Sequence, residues 1–195
     1  SYRKDALKLF VETGLYQACP LFDGKGKILL KLAEFPIKEM SVLQAWILFV
    51  DELKLSDKEV THLLKSWKSS NEQIRDVLVG YKTYRARKEE EWNFFLAYDC
   101  PYEVACEVEQ LLITQNKSTS MKGLEATYES LPIRSMNDIQ LNGHDIIRIL
   151  KLEKKGPIIG QVLKTVEKMI LEQSISNDAE VLETYVLSHF GGKSV

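Results

Sequence analysis

Gly156-Pro157-Ile158-Ile159-Gly160, preceded by Lys154 and Lys155, has the residue types and spacing of a helix opening turned toward an anion. Proline suits the first helical position, because its missing N–H would have no intrahelical partner there. The N–H groups that follow, from Ile158, Ile159 and Gly160, carry the positive pole of the helix dipole. Gly160 brings no side chain to obstruct a close approach, and the two lysines add charge. Such an opening can seat a phosphate without a glycine-rich nucleotide loop. By itself a Gly-Pro pair is also a plain helix start, with the lysines merely solvated.

Two helices must position this opening. Asn142, with Asp145 three residues on, can cap a first helix, and a lysine-bearing hairpin leads to the second. The Pro157 helix is expected to run to about Glu172, burying Ile159, Val162, Leu163, Val166 and Ile170. Pro157, Gln161, Lys164 and Lys168 then fall within roughly 60° of one another on another face. From Leu131 to Leu171 there are seven basic residues (Arg134, Arg148, Lys151, Lys154, Lys155, Lys164, Lys168) against four acids, a local charge of +3 in a chain of −2. The face reads as a rail along a phosphate backbone, one that positions nucleic acid without reading its bases.

The rest of the 195 residues also reads as helix, and no strand-like alternation is sustained. Gly14 is expected to end a first helix in the left-handed region, with Leu15 folding back. Met40 to Leu53 is apolar nearly all round, which suits the centre of a bundle. Ser56 and Glu59 form a capping box, Asn71 is expected to cap the next helix, and Asn177 with Glu180 the last. Glu89-Glu90-Glu91 reads as a solvated face balancing Arg85, Arg87 and Lys88. The polar stretch Asn116–Ser120 is the best internal boundary. The fold class is therefore all-α, with a helical body domain over 1–116 and a smaller helical tail domain over 117–195.

Composition sets bounds on function. Hydrophobic residues make up 45% of the chain, and the slight negative charge excludes a globally basic nucleic-acid binder. No apolar run reaches membrane-spanning length, so no membrane partner is expected, and nothing reads as a signal peptide. Cys19, Cys100 and Cys106 lack any C-x-x-C spacing and are expected to be inert thiols of a cytoplasmic protein. With His62, His144 and His189 scattered, no metal site and no bound cofactor are expected in this chain.

Leu141-Asn142-Gly143 with Asp145-Ile146-Ile147, Gly156-Pro157 with Ile159-Gly160 and Leu163, and Ile175 with Asn177 together resemble the C-terminal region of bacterial tRNA nucleotidyltransferases, the CCA-adding enzymes. Leu131-Pro132-Ile133 fits the approach to that region. Glu12-Thr13-Gly14-Leu15 and Leu64 to Asn71 look like weaker landmarks upstream. The resemblance implies body and tail domains that hold the outer corner of tRNA, with Mg2+, CTP and ATP serving a catalytic head and a nucleotide-selecting neck. The chain has no Asp-x-Asp, Gly-Ser loop or Glu-Asp-x-x-Arg, so these residues alone are expected to be catalytically inert.

One position departs from the family pattern: Gln173 stands where a glycine usually ends the long helix. The RNA-binding residues the resemblance and the chemistry imply are Arg134, Asn142, Gly143, Arg148, Lys154 to Gln161, Lys164 and Lys168. Recognition of an A-form arm would rest on shape, phosphates and 2′-hydroxyls. A non-enzymatic helix-hairpin-helix-like DNA-binding module is the alternative, although that motif places its turn glycines closer together. Tyr81, Tyr84, Trp92, Phe94 and Phe95 are conceivable stacking residues, but their helical spacing suits a core.

Overall fold

The computed structural model describes residues 3–35, 40–117, 119–153 and 156–191. Among them are eleven α-helices, two short 3-10 segments and no strand. The helices are α1 (Arg3–Glu12), α2 (Gly26–Glu34), α3 (Val42–Leu53), α4 (Asp57–Ser66), α5 (Asn71–Arg87), α6 (Phe94–Asp99), α7 (Tyr102–Thr114), α8 (Met121–Glu129), α9 (Gly143–Leu150), α10 (Pro157–Leu171) and α11 (Ala179–Phe190). The described residues up to Trp92 join Cys100–Leu124 in one compact unit. Asn93–Asp99 joins the described residues from Glu125 onward in a second.

In the first unit α5 packs against both α3 and α7. Ile47, Leu48 and Val50 of α3, Val77 of α5 and Val108, Leu111 and Leu112 of α7 are all buried in one core. Gly80 sits where these helices approach most closely: a Cβ there would lie 2.6 Å from Ile47 Cδ1 and 3.3 Å from Val104 Cγ1. A mid-helix glycine costs about 1 kcal/mol relative to alanine, and the space it leaves is filled by Ile47. A capping box not foreseen from the sequence starts α3. Ser41 Oγ accepts from the Gln44 N–H, and Gln44 Oε1 accepts from the Ser41 N–H, each at 3.1 Å. Both side chains also reach α7, Ser41 Oγ donating to the Glu107 carboxylate at 2.7 Å and Gln44 Nε2 to the Glu107 carbonyl at 3.2 Å.

The second unit gathers α9, α10 and α11 around Ile146, Ile149, Val162, Val166, Ile170, Leu182 and Val186, with Phe94 and Tyr98 of α6 packed against them. The buried stripe of α10 is Val162, Val166, Ile170 and Leu171, while Ile159 and Leu163 are half-buried at its edge.

Several local expectations need correction. Ser70, not Asn71, caps α5, its Oγ accepting from the Gln73 N–H at 3.1 Å; Asn71 is already helical. Asp178, not Asn177, caps α11, accepting from the Glu180 and Val181 N–H groups. Asn177 is taken up elsewhere: it accepts from the Gln140 N–H at 2.9 Å and donates to the Asp138 carbonyl at 2.8 Å. Gly14 does lie in the left-handed region, at φ 71°, but Leu15 remains 60% exposed and does not fold back.

The left-handed stop recurs without glycine. Lys54, Lys68, Asn116, Lys151 and Gln173 all have φ between 51° and 61°. In each case the next N–H reaches back to a carbonyl five residues earlier, as in Leu55 to Val50 at 3.2 Å and Ser174 to Met169 at 3.0 Å. These are Schellman-type ends in which an L side chain occupies the position glycine favours. Gln173→Gly is therefore expected to stabilise the fold by up to about 1 kcal/mol. A urea-midpoint comparison checks this, and a loss of stability would contradict the strain.

Candidate nucleic-acid interface

Asn142 takes an extended conformation and its Oδ1 accepts from the His144 N–H at 2.8 Å and the Asp145 N–H at 3.3 Å. Asp145 answers by accepting from the Asn142 N–H at 3.0 Å. Two first-turn donors of α9, the His144 and Asp145 N–H groups, are thus satisfied within the chain. Gly143 has a packing reason of its own: a Cβ there would lie 3.3 Å from Ile159 Cγ2. Glycine lets the start of α9 lie close against the start of α10. Both residues are accounted for by folding, whatever else they touch.

The opening of α10 is built differently. Gly156 is its N-cap, extended at φ −149°, and supplies no side-chain cap; Pro157 follows in the first turn. The Ile159 N–H, expected to face outward, closes a 3.2 Å turn onto the Gly156 carbonyl. Among the described residues, a Cβ on Gly156 or on Gly160 would meet nothing within 4 Å, so both positions face open space. Ile158 and Ile159 are half-buried and anchor the turn to the core, whereas Pro157, Gly160 and Gln161 are exposed. One helix end is closed by its own side chains and its neighbour is left open. Lys154 and Lys155, expected to flank the opening, lie outside the described residues.

The exposed face continues through Lys164 and Lys168. Lys168 is 3.5 Å from Glu172 one turn on. Lys164 makes no ion pair among the described residues. The remaining acid of α10 points the other way, because Glu167 accepts a hydrogen bond from the Tyr98 hydroxyl of α6. Burial, reinforced by that carboxylate, pushes the Tyr98 hydroxyl well above the ordinary tyrosine range. With Glu167 drawn inward, the outer face of α10 keeps a positive balance. Arg148 is exposed and shared between Glu183 at 3.3 Å and Asp145 at 3.7 Å. Exposed pairs of this kind hold little energy and can be exchanged for a phosphate. Arg134 is exposed, and its backbone N–H donates to Asp138.

The aromatic residues considered for stacking do not form one platform. Tyr81 and Tyr84 are buried in the first core, Trp92 donates to Glu109, and Phe94 belongs to the second core. Phe95 alone of the five is exposed, at 41%. Among the described residues no three His, Cys, Asp or Glu side chains gather as metal ligands, and no helix is long and apolar enough to cross a membrane.

Residues 38–186 match the family model described as tRNA nucleotidyltransferase domain 2, putative. The chain belongs to the tRNA nucleotidyltransferase family. The matched region takes in the open helix end, the capped α9 and the lysine face of α10. Within the family, the CCA-adding enzyme of Enterococcus faecalis strain V583 is 29% identical, over 94% of this chain and 45% of that enzyme. The CCA-adding enzyme of Ligilactobacillus salivarius strain UCC118 is 32% identical, over 92% of this chain and 44% of that enzyme. The fold is shared with the Bacillus stearothermophilus CCA-adding enzyme crystallised with CTP, at a TM-score of 0.82 and 21% identity, over 96% of this chain and 48% of that one. The chain thus spans a little under half the length of these family members.

Proposed function

We propose that this chain is the tRNA-binding body (1–116) and tail (117–195) of a CCA-adding tRNA nucleotidyltransferase. The observation that carries the reading is the α10 opening: a helix end without a side-chain cap, with open space at Gly156 and Gly160 among the described residues, leading into an exposed lysine face on a chain of this family. Phosphates of the tRNA corner bind at Gly156 to Gly160 and along Gln161, Lys164 and Lys168, with Lys154 and Lys155 beside the opening. Arg134 and Arg148 extend the basic surface. Asn142 and Gly143 hold the α9 end against it. The 3′ end of the tRNA then reaches a catalytic head and neck in the remainder of the parent enzyme.

CTP, ATP and Mg2+ are the parent's requirements. The described residues here do not bring together ligands for a metal, so no step of the transfer is assigned to them. The protein works in the cytoplasm, on tRNA.

Two assays test this. The purified chain is expected to bind tRNA yet add no CMP or AMP to a tRNA lacking its 3′ end. Template-independent addition by the pure chain would overturn the assignment to body and tail. Excess duplex DNA is expected to displace the tRNA barely. Efficient displacement would favour a DNA-binding helix-hairpin-helix module instead.

A further inference from the structure

Arg87 and Glu109 are the two charged residues of the described chain that are buried, with side chains 3% and 0% exposed. Arg87 ends α5 and Glu109 lies within α7. Arg87 Nε is 3.5 Å from Glu109 Oε2, and its Nη2 donates to Thr119 Oγ1 at 2.9 Å. Its Nη1 donates to the Glu90 carbonyl, and its guanidinium lies over the Trp92 ring, 5.3 Å from the centroid. Glu109 accepts from Trp92 Nε1 at 2.9 Å with one oxygen and from Thr119 Oγ1 with the other. The knot lies wholly in the first unit.

Its members sit at telling places on the chain. Trp92 is the last residue of the first unit before the chain passes to Asn93–Asp99, and Thr119 lies on the segment that leaves at Leu124 for the rest of the second unit. A single buried carboxylate therefore holds both outgoing connections, and the buried guanidinium holds the same two. Stability alone is a poor reason to bury such a pair, because well-packed apolar residues of similar volume hold a core as well or better.

We infer that Arg87 and Glu109 are positioning residues that fix the two segments by which the chain leaves the first unit, around Trp92 and Thr119, so that these segments are already ordered when tRNA binds. This rests on the proposed tRNA-binding function. A binder ordered in advance loses less freedom on association than one with loose connections.

The test is the paired apolar substitution Arg87→Met with Glu109→Leu in the full chain, read by amide hydrogen exchange and by tRNA titration at several salt concentrations. The expected variant keeps its urea midpoint, while exchange over 88–93 and 117–120 quickens by about tenfold or more. Its tRNA affinity falls several-fold with an unchanged salt slope, since every phosphate-binding group is still in place. Unchanged exchange would overturn the inference, as would faster exchange with unchanged affinity. If the wild-type chain binds no tRNA, the functional reading fails, and the exchange result still decides whether the pair holds the connections. Should the double variant not fold, Thr119→Val takes its place. It leaves the ion pair intact, and faster exchange confined to 117–120 is then expected; no change there would overturn the inference.

Discussion

In urea titrations, Arg87→Ala and Glu109→Ala are each expected to lower the stability of the first unit by about 3–5 kcal/mol. Either change leaves the opposite charge buried without its partner. After Arg87→Ala, the fully buried Glu109 keeps Trp92 and Thr119 as donors and loses its cation. After Glu109→Ala, the guanidinium retains Thr119, the Glu90 carbonyl and an exposed carboxylate, Glu91, 3.6 Å away. The loss is large against the roughly 5–15 kcal/mol that holds a typical domain folded. A nearby surface pair provides the contrast: Lys88→Ala, which removes the partner of Asp51 at 2.9 Å, should cost about 1 kcal/mol or less. Equal losses at the two pairs would show that the buried one carries no special desolvation cost.

This pair also marks where the sequence stopped being legible. Arg87 lies in a run of basic and acidic residues, and such runs are ordinarily solvated. Its true partner is 22 residues away on another helix, and no local spacing announces it. The membership of α6 was hidden for the same reason. Phe94 looks like part of a local aromatic group, yet with Tyr98 it packs with α9, α10 and α11. Features stated by neighbouring residues were legible. The Ser56–Glu59 and Asn142–Asp145 capping boxes, the Pro157 helix start and the apolar stripe of α10 follow from spacing of three or four residues. Caps were misplaced by one residue at Ser70 and Asp178, where two good capping residues stand side by side. The left-handed stops at Lys54, Lys68, Asn116 and Lys151 carried no glycine to signal them; only Gln173 stood out, against a family pattern.

In the candidate interface, sequence placed the parts and structure distinguished their conditions. Asn142 and Gly143 are occupied by capping and by packing against Ile159. Arg148 and Lys168 already share their charges with Glu183 and Glu172, and Lys164 makes no ion pair among the described residues. Lys164→Ala should therefore weaken tRNA binding more than Lys168→Ala, although both changes are smaller than the effect of substitutions at the helix opening. Because such interactions position RNA without reading bases, different tRNAs should be affected about equally.

The largest effect on binding is expected from replacing Lys154 and Lys155 together. Removing one lysine–phosphate interaction should reduce the slope of log K against log[salt] by roughly 0.7–0.9, so the pair should account for about 1.4–1.8. The decisive measurement is a titration of full-length tRNA against the wild-type chain, the Lys154→Ala/Lys155→Ala variant and a Lys117→Ala control, at several salt concentrations. Lys117 is exposed on the polar segment after α7, in the unit that does not carry the proposed rail, and its substitution should change nothing. A shallower slope in the double variant, with helical signal intact and the control unchanged, is the predicted result. An unchanged slope in that folded variant would contradict the phosphate seat at the α10 opening.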